Sequence, residues 1–362
     1  MSLSLRARPS RTAAALATLT AGALMLVGCA GDTPSDDRSD ATTRTVTDML
    51  DREVVVPQQV DRILALHPIP TTLIARLAPG AQVSVDTVYQ NRYLTDTSLP
   101  VYPADRLAAL TSLPVTNVYF KDPSAEQLLE LDPDVIITMV GDPQVDERQN
   151  QLGIPTVAVS KSPIAAYEQT IRLVGQVVGN EKDADAMADF WRDTAAAVQA
   201  ETDTVPEGER PTVMYTGQNG NLLVTPGSDT VFGTSIGQAG GKNLGDSLSG
   251  TDNESNEITV EQVIAWDPDV IIAASQEVKD QIMTLPEWAP LSAVSNDQVF
   301  VPPAYASMDG LTAIVGMVWA QGVLLHGDDA DARAHLAEVM REYYTLYFGF
   351  DITDDQIAQV TP

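Results

Sequence analysis

One fourteen-residue pattern occurs twice in this chain. Ser124-Ala125-Glu126-Gln127-Leu128-Leu129-Glu130-Leu131-Asp132-Pro133-Asp134-Val135-Ile136-Ile137 returns 135 residues later as Thr259-Val260-Glu261-Gln262-Val263-Ile264-Ala265-Trp266-Asp267-Pro268-Asp269-Val270-Ile271-Ile272. Each copy opens with the residues of a capping box, Ser124 with Gln127 and Thr259 with Gln262, which starts a helix. Asp-Pro-Asp stops that helix, because proline lacks the amide donor and disfavours helix in the residue before it. The Val-Ile-Ile that follows is a continuous apolar run, the pattern of a strand buried on both faces of a parallel sheet. Two copies at so long a period exclude a solenoid and predict two similar α/β lobes.

Between the copies the pattern is helical. Tyr167, Ile171, Val174 and Val178 share one face of a first helix that Gly179-Asn180 stops. A second runs from about Asp183 to Thr202, with Met187, Phe190, Trp191, Thr194 and Val198 at helical spacing. Twenty residues make about 30 Å of helix, a stiff spine between lobes that permits small rocking motions.

The chain has 362 residues and a single cysteine, Cys29. That excludes a disulfide framework and a cysteine zinc cluster. Arg6, Arg8 and Arg11 precede a 16-residue apolar run, Ala13 to Gly28, which reads as a secretory signal too short to span a bilayer. The run ends Leu26-Val27-Gly28-Cys29, which resembles the bacterial lipobox and implies cleavage before Cys29 and its acylation, palmitate included, as a membrane anchor. The alternative is a signal peptide with a chance cysteine. Residues 1–28 are therefore expected as signal and 29–45 as a flexible, small, polar and acidic tether. The formal charge of −29 becomes −32 when the three signal arginines go, leaving 18 Lys+Arg against 50 Asp+Glu. Nucleic acid is excluded as a partner. Leu311 to Leu325, interrupted by Gly316, Gln321 and Gly322, is expected as a buried core helix rather than a membrane span.

Five segments carry a family resemblance: Val46 to Pro57 with Asp61 to Leu66, the two Pro-Asp-Val-Ile-Ile strands, Ala239-Gly240-Gly241-Lys242-Asn243, and the ending Glu342 to Ile352. Together they look like the iron-siderophore/cobalamin class (class III) of ABC-transporter substrate-binding lipoproteins. The resemblance implies an α/β fold of two Rossmann-like lobes with parallel sheets, joined by a single long interlobe helix, with the ligand cleft between them. The expected divisions are an amino-terminal lobe over 46–165, a spine over 166–205 and a carboxyl-terminal lobe over 206–362. It further implies a monomer, partnered by an ABC permease and its ATPase, that carries a metal chelate as cargo and needs no cofactor. A ferric siderophore leads, with haem, a corrinoid, a nickel chelate and molybdate as alternatives. A tethered module with no transporter is a further option.

Ligands in parallel sheets sit beyond the carboxyl ends of the strands. The loops there offer His67, Tyr89, Arg92 and Tyr93 in the first lobe, and Tyr215, Gln218 and Tyr305 in the second. His67 has three readings: helix cap, axial ligand to a chelated metal, or hydrogen-bond donor to an anionic chelate. Arg92, between two tyrosines, is either a surface arginine or the cation that neutralises a siderophore. Lys242 reads as structural. Free zinc or manganese calls for several converging histidines; only His67, His326 and His335 exist, so no direct metal site is expected. Glu126 and Glu261 hold the same place in the two copies. They are either acids favoured at helix N-termini or, as the resemblance implies, the residues that dock on permease arginines. A competing class is a lipid-anchored serine hydrolase, since Gly233-Thr234-Ser235-Ile236-Gly237 fits G-x-S-x-G, with Asp309 and His326 or His335 following.

Overall fold

The computed structural model describes residues 42–95, 101–116, 121, 123–248, 250, 252–304 and 308–361. Cys29 and Tyr305 lie outside the described residues.

Both repeat copies fold alike. Ser124 caps the helix Ala125–Leu131 and Thr259 caps Val260–Trp266, each side chain accepting from the backbone N–H of the glutamine three residues on. The return bond from the glutamine to the cap's own N–H forms in the first copy only. Asp132 and Asp267 close the two helices in left-handed backbone, at φ 43° and 42°. Aspartate tolerates that conformation better than most residues, and the following proline forbids another helical turn.

The second aspartate of each Asp-Pro-Asp does more than stop a helix. Asp134 Oδ2 accepts the backbone N–H groups of Asp61 and Arg62, both at 2.9 Å. Asp269 Oδ2 accepts the N–H of Thr212 at 2.8 Å and its hydroxyl at 2.7 Å. Each carboxylate thus ties the start of the repeated strand to the start of the lobe's first strand and sets their register.

The repeated strands are central in both sheets. Val135–Met139 lies between Ile63–Ala65 and Thr156–Val159, all parallel. The parallel pair Val85–Asp86 and Val115–Thr116 continues that sheet through a single bridge from Ile63 to Gln82. Val270–Ala273 lies between Thr212–Thr216 and Val299–Phe300, with Lys242–Asn243 beyond Thr212–Thr216, again all parallel. Val135, Ile136 and Ile137 are fully buried, as are Ile271 and Ile272. The fold is α/β with parallel sheets, as expected.

An antiparallel hairpin, Thr43–Thr47 with Glu53–Pro57, precedes the first lobe. It starts inside the last residues expected as tether, because Arg44 donates to the carbonyls of Gln176 and Val177 at the end of the helix Ala166–Val178. Asp48 holds the hairpin to the sheet. Its carboxylate accepts from the backbone of Leu50, Arg52 and Ala158 and from the Arg52 guanidinium. Burial opposes the charge on Asp48, but these donors outweigh it and hold the carboxyl below its ordinary range.

The helix Ala166–Val178 ends at Gly179, φ 73°, and the spine helix runs Glu181–Thr202. Ala313–His326 is buried through Val323, the core helix read from its apolar run. Among the described residues no helix is long and apolar enough to cross a membrane. The helix Ala330–Phe348 returns to the first lobe: Arg76 Nε donates to the Leu346 carbonyl at 2.9 Å, and the Tyr347 hydroxyl donates to the Met187 carbonyl of the spine at 2.9 Å. The lobes are therefore tied by this helix as well as by the spine. In the Gly-Gly-Lys-Asn turn, a Cβ on Gly241 would meet Val213, Ile236 and Leu324 within 3.1 Å, and Asn243 bonds the Pro226 carbonyl. Lys242, read as structural, pairs with Thr212 in the sheet and its N–H donates to the Pro211 carbonyl at 2.8 Å.

Replacing Asp134 or Asp269 with alanine removes two hydrogen bonds at a strand start. Each substitution should destabilise the protein by about 1–2 kcal/mol, given the partial solvent exposure, read as a lower urea midpoint. An unchanged midpoint in both variants contradicts the registering role.

Candidate functional site

The strand ends of both lobes converge on a set of charged and phenolic groups. His67 stands just past the strand Ile63–Ala65 and caps the helix Pro68–Leu77, its Nδ1 accepting from the Ile69 N–H at 3.2 Å. That bond occupies the Nδ1 lone pair and leaves the ring hydrogen of the neutral form on Nε2. Metal ligation through Nε2 requires the opposite tautomer and sets two N–H groups against each other. The geometry thus favours cap and Nε2–H donor over axial ligand. Burial, with the Lys161 charge adding and Asp309 opposing, pushes the ring down to about 4.

Arg92 lies in a π-helical turn, Gln90–Thr95, that follows Thr87–Tyr89, where a loop was expected. Asp86 starts this segment, its side chain accepting from the Tyr89 N–H and from the Thr71 hydroxyl. Burial opposes the Arg92 charge, but Tyr93 and Asp309 outweigh it and raise its pKa, and its guanidinium donates to the Tyr93 hydroxyl. Tyr93 packs on Phe348 with ring centroids 5.3 Å apart, so the carboxyl-terminal helix fixes the base of Arg92. Tyr89 is fully buried and its hydroxyl pairs with Tyr102 at 2.7 Å, which places it in the core.

From the second lobe, Tyr215 sits in Thr212–Thr216 against Phe232, with centroids 4.8 Å apart. Burial first, then the nearby charge of Asp309, raises its phenol. Gln218 lies at the rim, its Oε1 accepting from the Ser255 hydroxyl at 2.6 Å. Asp309 caps the turn Gly310–Thr312 and is the charge that the whole cluster shares: His67, Arg92, Tyr93, Lys161, Tyr167 and Tyr215 all respond to it.

Lys161 and Glu254 escaped the sequence reading. Lys161 Nζ donates to Glu254 Oε1 at 2.8 Å, from the first lobe to the second, with burial opposing and Asp309 and Glu254 raising its pKa. No local signal marks either residue, since they are 93 positions apart. Only the position of Lys161 just past the carboxyl end of Thr156–Val159 hints at it. The Tyr167 hydroxyl, read as part of an apolar helix face, is buried and has no hydrogen-bond partner among the described residues. A cavity of about 20 Å³ spans the lobes between Pro68, Tyr93, Arg92 and Gly310, room for about one water.

The hydrolase constellation does not form. Ser235 is fully buried within the helix Val231–Gln238, and its hydroxyl donates to the Val231 carbonyl at 2.6 Å. A nucleophile elbow needs an exposed hydroxyl on a strand-to-helix turn, so this reading is withdrawn. His326 bonds Glu201 at 2.7 Å on the far helices. Among the described residues no cluster of three or more His, Cys, Asp or Glu is arranged to hold a metal.

The depressed His67 pKa makes a testable statement about pH. The unfolded ring takes up its proton near 6.5 and the folded ring near 4. Stability is therefore fully present above 6.5, falls as pH drops through that window, and levels off below 4. The loss is about 3 kcal/mol at most. His67→Asn keeps a capping acceptor without the titration. The difference between wild-type and variant urea midpoints should follow this curve; a pH-independent difference contradicts it.

A family profile described as periplasmic binding protein matches residues 63–306. The molybdate-binding protein MolA of Haemophilus influenzae is 22% identical over 344 residues, covering 87% of this chain and 94% of that one. The uncharacterized ABC transporter substrate-binding lipoprotein YvrC of Bacillus subtilis is 20% identical over 312 residues, covering 83% and 93%. Among solved structures, an ABC transporter solute binding protein from Sulfurospirillum deleyianum superposes with a TM-score of 0.75 at 21% identity, over 88% of this chain and 98% of that one. Its sheets, its spine and the extent of the match make this chain a member of the periplasmic binding protein family, in the class that the sequence resembles.

Proposed function

We propose that the protein captures an anionic metal complex, a ferric siderophore foremost, and delivers it to an ABC permease and its ATPase from a lipid anchor at Cys29. Solute binding on behalf of an ABC transporter, outside the cytoplasm and without catalysis, is what the family does. The observation that carries the cargo assignment is the first-lobe wall. In a chain of net charge −29, Lys161 stands near a neutral His67 that carries its hydrogen on Nε2, and Arg92 shares the charge of Asp309 with both. Such a wall suits carboxylate, catecholate or hydroxamate oxygens, and Tyr93 and Tyr215 add phenolic donors. A second reading is molybdate, favoured by the name of the Haemophilus relative; the interlobe cavity, with room for about one water, holds neither cargo as it stands. An organic chelate enters only when the lobes part.

Docking on the permease is assigned to Glu126 and Glu261. Both are exposed in the first turn of matching helices, one per lobe. Each is followed one turn later by an unusually exposed apolar residue, Leu129 at 56% and Ile264 at 51%. An acid beside an apolar side chain, presented twice, suits a partner with two equivalent basic, apolar-ringed sockets.

Fluorescence quenching of the purified protein against ferric siderophores, haem, a corrinoid, a nickel chelate and molybdate tests the cargo. At least one should bind at micromolar levels, and Arg92→Met should weaken it by about tenfold or more. Absence of any binding removes the cargo assignment. Charge reversal of Glu126 and Glu261 together should abolish uptake with cargo affinity intact; normal uptake in that variant rules out the docking role.

A further inference from the structure

The cleft is divided by charge. Its cations, Arg92 and Lys161, belong to the first lobe, and its acids, Glu254 and Asp309, to the second. Both partners of the Lys161–Glu254 pair are held from behind. On one side, the Ser160 hydroxyl donates to the Ser162 carbonyl at 2.8 Å, and the Thr170 hydroxyl to the Ser160 carbonyl at 2.6 Å. On the other, Asn256 Nδ2 donates to the Gly250 carbonyl at 2.7 Å, Gly227 N–H to the Asn253 carbonyl at 2.9 Å, and the Ser255 hydroxyl to Gln218. Two braced turns therefore aim a lysine and a glutamate at each other across the lobes.

We propose that Glu254 is a resident counter-anion: it holds Lys161 while the cleft is empty, and cargo binds by displacing it with an anionic group of its own. The proposal rests on the cleft being the cargo site. The side chains of Lys161 and Glu254 are 30% and 45% exposed, and ion pairs so exposed are weak. The pair is strong enough to bias two lobes already tied by the spine, and weak enough to be exchanged. A displaced Glu254 returns to water at little cost, whereas Lys161, deeper in the wall, keeps only the through-space charge of Asp309 and gains a direct partner from a new anion. A solute without a negative group has nothing to offer in exchange. Glu254 thereby sets a charge threshold for what the site accepts. Asp309 stays on the opposite wall and favours cargo that turns donors or a cation toward the second lobe. A metal chelate with anionic ligand atoms on one side and amide or amine donors on the other has that polarity.

The test has a cargo-free arm and a binding arm. Spin labels at Glu130→Cys and Glu277→Cys, one per lobe on exposed helix positions, with Cys29→Ser, report the interlobe distance of the empty protein. The wild type should give one narrow distribution. E254Q and K161M should each broaden it toward longer distances, and the swap K161E/E254K should restore it. An E254Q distribution identical to wild type overturns the proposal whatever the affinities. In the binding arm, E254Q should bind a ferric tris-catecholate about two- to fivefold tighter than wild type, with cyanocobalamin, neutral overall, unaffected. Weaker chelate binding by E254Q makes Glu254 a direct cargo contact and also overturns the proposal. If the distances respond and no anionic probe binds either protein, the interlobe pair stands and it is the cargo assignment that fails.

Discussion

The architecture depends on two aspartates that fasten strand starts. A parallel sheet has no hairpin turn to set its register, so the alignment of neighbouring strands has to come from elsewhere. Asp134 and Asp269 supply it by accepting the N–H groups where the first strand of each lobe begins. With the starts aligned, the carboxyl ends are aligned too, about four residues further on. His67 follows the strand that Asp134 fastens, and Tyr215 lies in the strand that Asp269 fastens. A one-residue slip would turn each strand end over and send its side chain to the opposite face of the sheet.

The second constraint is aromatic. Phe348 packs against Tyr93 and Tyr102 of the first lobe, at 5.3 and 5.7 Å between centroids, while Tyr343 and Tyr347 stack at 4.6 Å beside Phe190 of the spine. The chain thus ends by clamping the first lobe to the spine with rings that are almost wholly buried. Hinge motion that separated the lobes widely would have to expose them, and aromatic side chains carry the largest apolar area of any residues. The same cluster sets the base of Arg92 through the contact of Tyr93 with Phe348.

Much of this was legible in the sequence because it is local or periodic. The helix stops, the buried Val-Ile-Ile strands, the spine and the apolar helix Ala313–His326 all follow from spacing and from proline and glycine chemistry. The cap at His67 was one of three readings, and only the position of Nδ1 favours it. Ser235 shows the opposite failure: a five-residue pattern suggested chemistry, and the helix around it buries the hydroxyl. The charge partners in the cleft were illegible for a physical reason. Glu254, in the loop before the short strand Asn256–Glu257, meets Lys161 just past Thr156–Val159 only through the tertiary fold, and no pattern within a window of residues encodes that meeting.

With the anionic cargo proposed above, a chain this acidic faces a conflict between its net field and its site. The summed charge repels the ligand at a distance, and screening confines that repulsion to about 8 Å at physiological ionic strength. Within the cleft that repulsion is offset at short range by Arg92 and Lys161 of the first-lobe wall. Lone cations in such a place would be costly to desolvate. Facing them with acids on the other lobe removes that cost in the empty state and makes closure self-complementary. On the proposed reading the two properties are separated by wall: substitutions on the second lobe tune how readily the cations are released, while those on the first determine what they hold.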